Sequence, residues 1–118
     1  MAKYRNKKAT RAVGKEVYEF DSRKEARRFD QLFAMLRAGV ISGLKLQPEF
    51  IIADRVFDKA AGRWLPARKY VADFEYMKDG KRVVEDVKSP ATRSESTYRL
   101  KRHLLLLHFG KEIDFKEV

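Results

Sequence analysis

No cysteine occurs among the 118 residues, and prolines number only three. The first absence excludes disulfide staples, thiolate nucleophiles and cysteine-based zinc sites. Long apolar runs are missing as well: the longest is Leu104–Leu107, far short of the roughly 20 residues that a membrane-spanning helix needs. The basic start of the chain carries no apolar core of the kind a secretory signal requires. These absences lead to the expectation of a soluble, non-secreted protein of the reducing cytoplasm with no membrane partner. Acids are missing from the beginning of the chain, where none precedes Glu16. A chain of 118 residues has room for one modest core and not for two.

What the chain has in quantity is positive charge: 27 Lys and Arg stand against 17 Asp and Glu, for a net charge of +10. Residues 1–15 hold Lys3, Arg5, Lys7, Lys8, Arg11 and Lys15 with no acid among them. Such a stretch reads as a flexible basic arm preceding a single domain at 16–118. Alone it is either a solvated tail that aids solubility or the electrostatic footprint of a nucleic-acid partner, and beside a phosphodiesterase site the second reading is favoured. With 44% hydrophobic residues, among them eight Phe and five Tyr, the remainder has the apolar content of a folded domain despite 37% charged residues.

Periodicity gives the order of elements. Val17–Phe20 is short and apolar at alternate positions. Ser22 then opens a helix on which Ala26, Phe29, Leu32, Phe33 and Leu36 recur at helical spacing, with Gly39 as a stop. Residues 40–44 read as a turn, Gln47 to Phe57 as a strand entered at Pro48, and 58–63 as a loop around Gly62. A long strand follows from Trp64 to Met77, irregular near Pro66, and a third from Arg82 to Ser89. Lys78-Asp79-Gly80-Lys81 between these strands is a hairpin-turn signal. A polar loop over 90–96, a second helix from Thr97 to Phe109 ending at Gly110, and a strand over 112–118 complete the chain. Helix, three strands, helix, strand is an α/β order.

The chemistry concentrates at Asp73 and at Asp86-Val87-Lys88. Aspartate is depleted in strands and costly to bury without a partner, yet both acids sit in strand-like sequence rich in β-branched and aromatic residues. Side chains alternate along a strand, so Asp86 and Lys88 share a face and Glu85 takes the other. If Asp73 opens onto the face of Asp86, two carboxylates and the Val87 backbone carbonyl could hold a hard divalent cation, Mg²⁺ or Mn²⁺. Lys88 would then orient water or stabilise charge on a phosphate. The plainer readings are an exposed edge residue or surface ion pairs.

An acid on one strand followed by acid-x-Lys on the next resembles the signature of the PD-(D/E)xK nuclease superfamily, with Ala72-Asp73 in place of Pro-Asp and Asp86-Val87-Lys88 intact. The wider run from Phe20-Asp21-Ser22-Arg23-Lys24-Glu25-Ala26 through Leu46-Gln47-Pro48 to Val84–Ser89 is similar to small phage- or prophage-encoded members of that superfamily. The resemblance implies a restriction-endonuclease-like αβββαβ core with a mixed central sheet flanked by helices, a Mg²⁺ or Mn²⁺ site, and cleavage of DNA phosphodiester bonds. It implies location in the cytoplasm of a bacterial host for a phage-encoded protein. By the same analogy the substrate is branched DNA, such as a four-way junction, cut by a homodimer; a nicking or host-DNA-degrading nuclease is the alternative. From another class, a non-catalytic module binding duplex or branched DNA on the same fold is a further alternative, against which the intact Asp73, Asp86 and Lys88 argue.

Several residues carry competing readings. Ser22-x-x-Glu25 matches a helix capping box, while in the resembling nucleases the first helix often supplies an acid to the metal centre, which would make Glu25 catalytic. Gln47 is either a loop residue or, by resemblance, at the edge of the site. Glu75 shares a face with Asp73 as a peripheral ligand or a solvated acid. His103 and His108 read as surface residues, since such sites use oxygen donors. Arg93, Arg99, Lys101 and Arg102 are candidate phosphate contacts, giving affinity without sequence preference.

Overall fold

The structure is a computed structural model in which residues 8–118 are described. Among the described residues, ten strands and three helices make a mixed α/β fold. An N-terminal hairpin, β1 (Ala9–Val13) and β2 (Glu16–Phe20), precedes helix α1 (Arg23–Arg37). A long antiparallel ribbon follows. One side is β3 (Ser42–Leu46) continued by β4 (Glu49–Ala53); the other is β7 (Arg68–Val71) continued by β8 (Phe74–Lys78). The far end of the ribbon is a small hairpin of β5 (Val56–Asp58) and β6 (Arg63–Leu65). Then come β9 (Lys81–Asp86), the short α2 (Pro90–Arg93), α3 (Ser96–Phe109) and β10 (Asp114–Glu117). The central sheet has the order β10-β9-β8-β3 and is mixed, because β10 runs parallel to β9 while the other pairs are antiparallel.

Helix α1 forms where the spacing of Ala26, Phe29 and Leu32 predicts it, and those three residues are its buried stripe. Asp79 (φ 52°) and Gly80 (φ 76°) make the two-residue turn between β8 and β9, a geometry that Asp-Gly adopts readily because both positions need positive φ. Alternation along β8 and β9 then builds two cores on opposite faces of the sheet. Phe74, Tyr76 and Val83 pack with Phe20, Ala26, Phe29, Leu32 and Ile41; Val84 packs with Phe50, Ile52, Tyr70, Ala72, Tyr98, Leu105 and Ile113.

Three features depart from the sequence-based expectations. Strand β1 lies inside the stretch assigned to a flexible arm over 1–15. Ala9 and Val13 pack against the α1-side core and Arg11 Nε donates to Asp30 on α1 at 2.8 Å, so alternation wins over net charge and the domain begins before residue 16. Residues 42–46, inside a stretch read as turn and strand entry, form β3 against β8. The strand expected over 64–77 is broken into β6, β7 and β8, with Ala72 and Asp73 outside any strand. Among the described residues no helix is long and apolar enough to cross a membrane.

Candidate metal and phosphate site

The break in the ribbon creates the site. Gln47, in the left-handed region at φ 53°, donates its N–H to the Asp73 carbonyl at 3.0 Å, and Ala72 N–H reaches Pro48 O at 3.0 Å. Both strands therefore bend at facing positions. A non-glycine residue held at positive φ costs on the order of 1–3 kcal/mol, a strain that tends to accumulate at functional sites. At the bend Asp73 N–H donates to the Glu85 carbonyl at 3.0 Å, and β9 continues past the end of its pairing with β8 to Asp86.

Asp73 is the joint between two cavities. Its carboxylate Oδ2 accepts the Val87 N–H at 2.7 Å, and its own N–H is 3.1 Å from Asp86 Oδ1. On the α1 side Asp73 lines a cavity of about 240 Å³ with Glu25, Gln47, Tyr18, Phe20 and Phe74. On the α3 side Asp86 and Lys88 line a cavity of about 340 Å³ with Tyr70, Tyr98, Lys69 and Lys101. Asp86 and Lys88 thus share a face, as alternation requires, and Glu85 takes the opposite one. Asp73, placed at the bend and not in a strand, stands between the two other acids: its carboxylate faces Glu25 and is also near enough to Asp86 for its charge to raise that group.

Among the described residues no ion pair involves Glu25, Asp73 or Asp86. Burial, then the facing Asp73 carboxylate, pushes Glu25 up to about 7. Burial pushes Asp86, only 1% exposed, up to about 6, against the opposing pull of the Tyr70 hydroxyl and Lys88. Tyr70 donates to Asp86 Oδ2 and is itself raised, first by burial and then by that carboxylate. The ammonium of Lys88 lies 5.4 Å from the centre of the Tyr98 ring, which steers it along the cavity wall.

Glu25 caps its helix in a shifted form of the expected box. Its N–H donates to Ser22 Oγ at 3.1 Å, but its carboxylate accepts from Asp21 N–H at 3.2 Å and not from Ser22. Capping and facing Asp73 are thus compatible roles for one side chain. Because Glu25 and Asp86 hold protons more tightly folded than unfolded, metal-free stability should fall as pH rises from about 4.5 through 7. Glu25→Gln keeps an acceptor for Asp21 and should flatten much of that fall in thermal melts from pH 5 to pH 8. A wild-type melting temperature that rises over this window would contradict the arrangement.

Other expected contacts are distributed differently. Glu75 is buried against Arg82 (2.9 Å) and near Lys45 (3.8 Å), which excludes it as a peripheral ligand: its strand position pairs it with cations away from the bend. Arg102 is not a free phosphate contact, because its guanidinium lies over the Phe115 ring at 5.5 Å with Nε 3.6 Å from Glu117, holding α3 to β10. Arg11 is likewise spent on Asp30 and on the Thr10 carbonyl. Lys8 is 3.5 Å from Glu19, and Lys15 lies in the β1–β2 turn. Arg93, Arg99 and Lys101 are exposed, and of these Lys101 lines the Asp86 cavity. His103 and His108 are exposed on α3. Lys3, Arg5 and Lys7 lie outside the described residues.

Sequence reasoning missed Tyr70, the partner of Asp86, and the pair formed by Arg28 and Glu85. Arg28 Nε and Nη2 donate to the two Glu85 oxygens at 2.7 and 2.6 Å, and Tyr76 adds its hydroxyl. Burial works against the Glu85 charge, but these donors hold its carboxyl below the usual range. Arg28 stands one helical turn after Glu25 at i,i+3, a spacing that in hindsight marks a second inward polar residue on α1.

Among the described residues no group of three or more His, Cys, Asp or Glu is arranged to hold a metal ion. The donor chemistry still fits a hard divalent cation, which commonly binds through one or two carboxylates and otherwise water: Glu25 and Asp73 face each other, and Asp86 accepts a hydrogen bond from the Asp73 peptide N–H. Residues 1–116 match the model of a protein family described as "Protein of unknown function (DUF1064)". No curated protein and no solved structure matches the chain.

Proposed function

We propose that this chain, which belongs to the DUF1064 family, is a metal-dependent DNA endonuclease of the PD-(D/E)xK type on a restriction-endonuclease-like core. The observation that carries the reading is the junction at Asp73, which ties the acidic pair with Glu25 to the Asp86–Lys88 cavity through two hydrogen bonds from backbone N–H groups to carboxylates. Acids on one side and lysines on the other suit a divalent cation beside a phosphate diester.

Asp73 and Asp86 would hold Mg²⁺ or Mn²⁺, with Glu25 and the Val87 carbonyl completing the shell. The bound cation supplies positive charge to the phosphate and makes water more acidic. Glu25, whose proton leaves at about 7, must be ionised to bind it, so cation affinity rises with pH across that window. Tyr70 fixes Asp86 in one orientation. Lys101, on the wall shared with Lys88, draws the phosphate in, while Lys69 on the same wall is paired with Glu49 at 3.1 Å. Lys88 meets the negative charge that grows on the phosphate as water attacks in line, and no covalent enzyme intermediate is required.

Lys88→Ala should therefore lower the single-turnover rate by about 100-fold or more while leaving the Mg²⁺ concentration for half-activation near its wild-type value. Unaltered rate would remove Lys88 from the reaction. For the substrate, the reading is branched DNA, with four-way junctions cut by a homodimer so that two sites act on one junction. Titration of Mg²⁺ or Mn²⁺ against linear, nicked, flap and four-way DNA tests it: metal-dependent cuts, fastest on branched DNA, are expected, and no cleavage of any form would overturn it.

A further inference from the structure

The hairpin of β5 and β6 stands apart from both cores. None of its residues belongs to either cluster, and an isolated two-stranded hairpin is marginally stable without cover. Its cross-strand pair Phe57 and Trp64 lies on one face, with ring centres 5.5 Å apart and edge to face. Both are solvent-facing, at 48% and 54% exposure. On the other face Val56 is 56% exposed beside Leu65. Arg55 lies over the Trp64 ring at 4.3 Å.

The surroundings decide what could cover this surface. Residues 54–69 hold Arg55, Lys59, Arg63, Arg68 and Lys69 against Asp54 and Asp58, and Asp58 turns inward to accept the Ala61 N–H at 3.1 Å. A second copy would set this cationic surface against its own like charge. A polyanion whose bases offer flat apolar faces matches both the aromatic pair and the arginine and lysine flank, the combination used on unpaired nucleic acid. The hairpin is also continuous with the strands that bend at Asp73, roughly 25 Å away at the rise of a strand.

We infer that the β5–β6 hairpin is a DNA-binding wing that stacks unpaired bases on Phe57 and Trp64 while its basic flank contacts the adjoining phosphates. It deepens the nuclease reading and rests on it: the substrate class becomes DNA with unpaired bases near the cut, as at branch points.

Trp64 is the sole tryptophan, so its fluorescence reports on the wing alone. The full chain is titrated in EDTA, where no cleavage occurs, with a duplex carrying a central loop of unpaired thymines and with a fully paired duplex of equal length. Quenching by the looped duplex is expected, with little by the paired one. Trp64→Ala should bind the looped duplex about tenfold or more weakly and the paired duplex equally well, and Trp64→Tyr should restore most of the loss. An unchanged urea midpoint for Trp64→Ala confirms that the fold is intact. Equal affinity of wild type and Trp64→Ala for the looped duplex, or equal weakening on both DNAs, overturns the inference. So does a dimer mass with a concentration-dependent Trp64 shift in the absence of DNA, which would assign the surface to a second copy. Because binding is read without metal, this outcome and that of the cleavage test are separable.

Discussion

Asp73→Asn is expected to abolish cleavage of every DNA form, by about three orders of magnitude or more, while the protein stays folded. The substitution keeps a side-chain oxygen to accept the Val87 N–H and leaves the backbone bond to Asp86 untouched. What it deletes is the charge that would hold the cation, whose contribution of several kcal/mol converts to a loss of that size at about 1.4 kcal/mol per tenfold. It also removes the like charge that faces Glu25, so metal-free stability near pH 8 should rise slightly. An inactive variant with a higher melting temperature than wild type is the signature of a charge kept for function at some cost to the fold. Near wild-type turnover in saturating Mg²⁺ would remove Asp73 from the site.

Arg28→Ala should be the most destabilising single change outside the apolar core. Glu85 is 0% exposed and has Arg28 as its bidentate partner, with the Tyr76 hydroxyl as a further donor and Lys116 on β10 adding a weaker attraction. Removing the guanidinium strands a buried carboxylate, which costs on the order of 3–5 kcal/mol. Replacing both partners, as in Arg28→Met with Glu85→Gln, should recover much of that loss, because the charge then disappears with its partner. Urea denaturation of the three variants checks this, and a loss below about 1 kcal/mol for Arg28→Ala would mean that Glu85 is solvated or otherwise paired. The pair also fixes α1 against β9, and with it the position of Glu25 one turn earlier, so the double variant should fold yet bind metal less well.

Where a feature depended on local pattern, it was legible before the structure. The buried stripe of α1, the Asp79-Gly80 turn, and the opposite orientations of Glu85 and Asp86 all follow from period and turn chemistry. What stayed hidden depends on partners distant in sequence. The bends at Gln47 and Asp73 arise from two strands facing each other, and nothing in either segment alone announces a positive φ at a glutamine. Strand β1 was masked by interleaved charge, since Arg11 reads as part of a basic tail until Asp30 is placed beside it. Arg102 looked like a surface cation because Phe115 and Glu117 reach it only through the parallel pairing of β10 with β9. Tyr70 reads as an ordinary strand aromatic, and only the fold sets its hydroxyl on Asp86.

Calorimetric titration of Mn²⁺ into the full chain near pH 6.5, in buffers of different ionisation enthalpy, tests the site most directly, because it requires no assumption about the DNA substrate. Glu25 holds its proton up to about 7 and Asp86 up to about 6, so binding should release protons into the buffer, and Asp73→Asn should bind far more weakly. Heat independent of the buffer, or equal affinity in wild type and Asp73→Asn, would contradict a metal centre built on Glu25, Asp73 and Asp86.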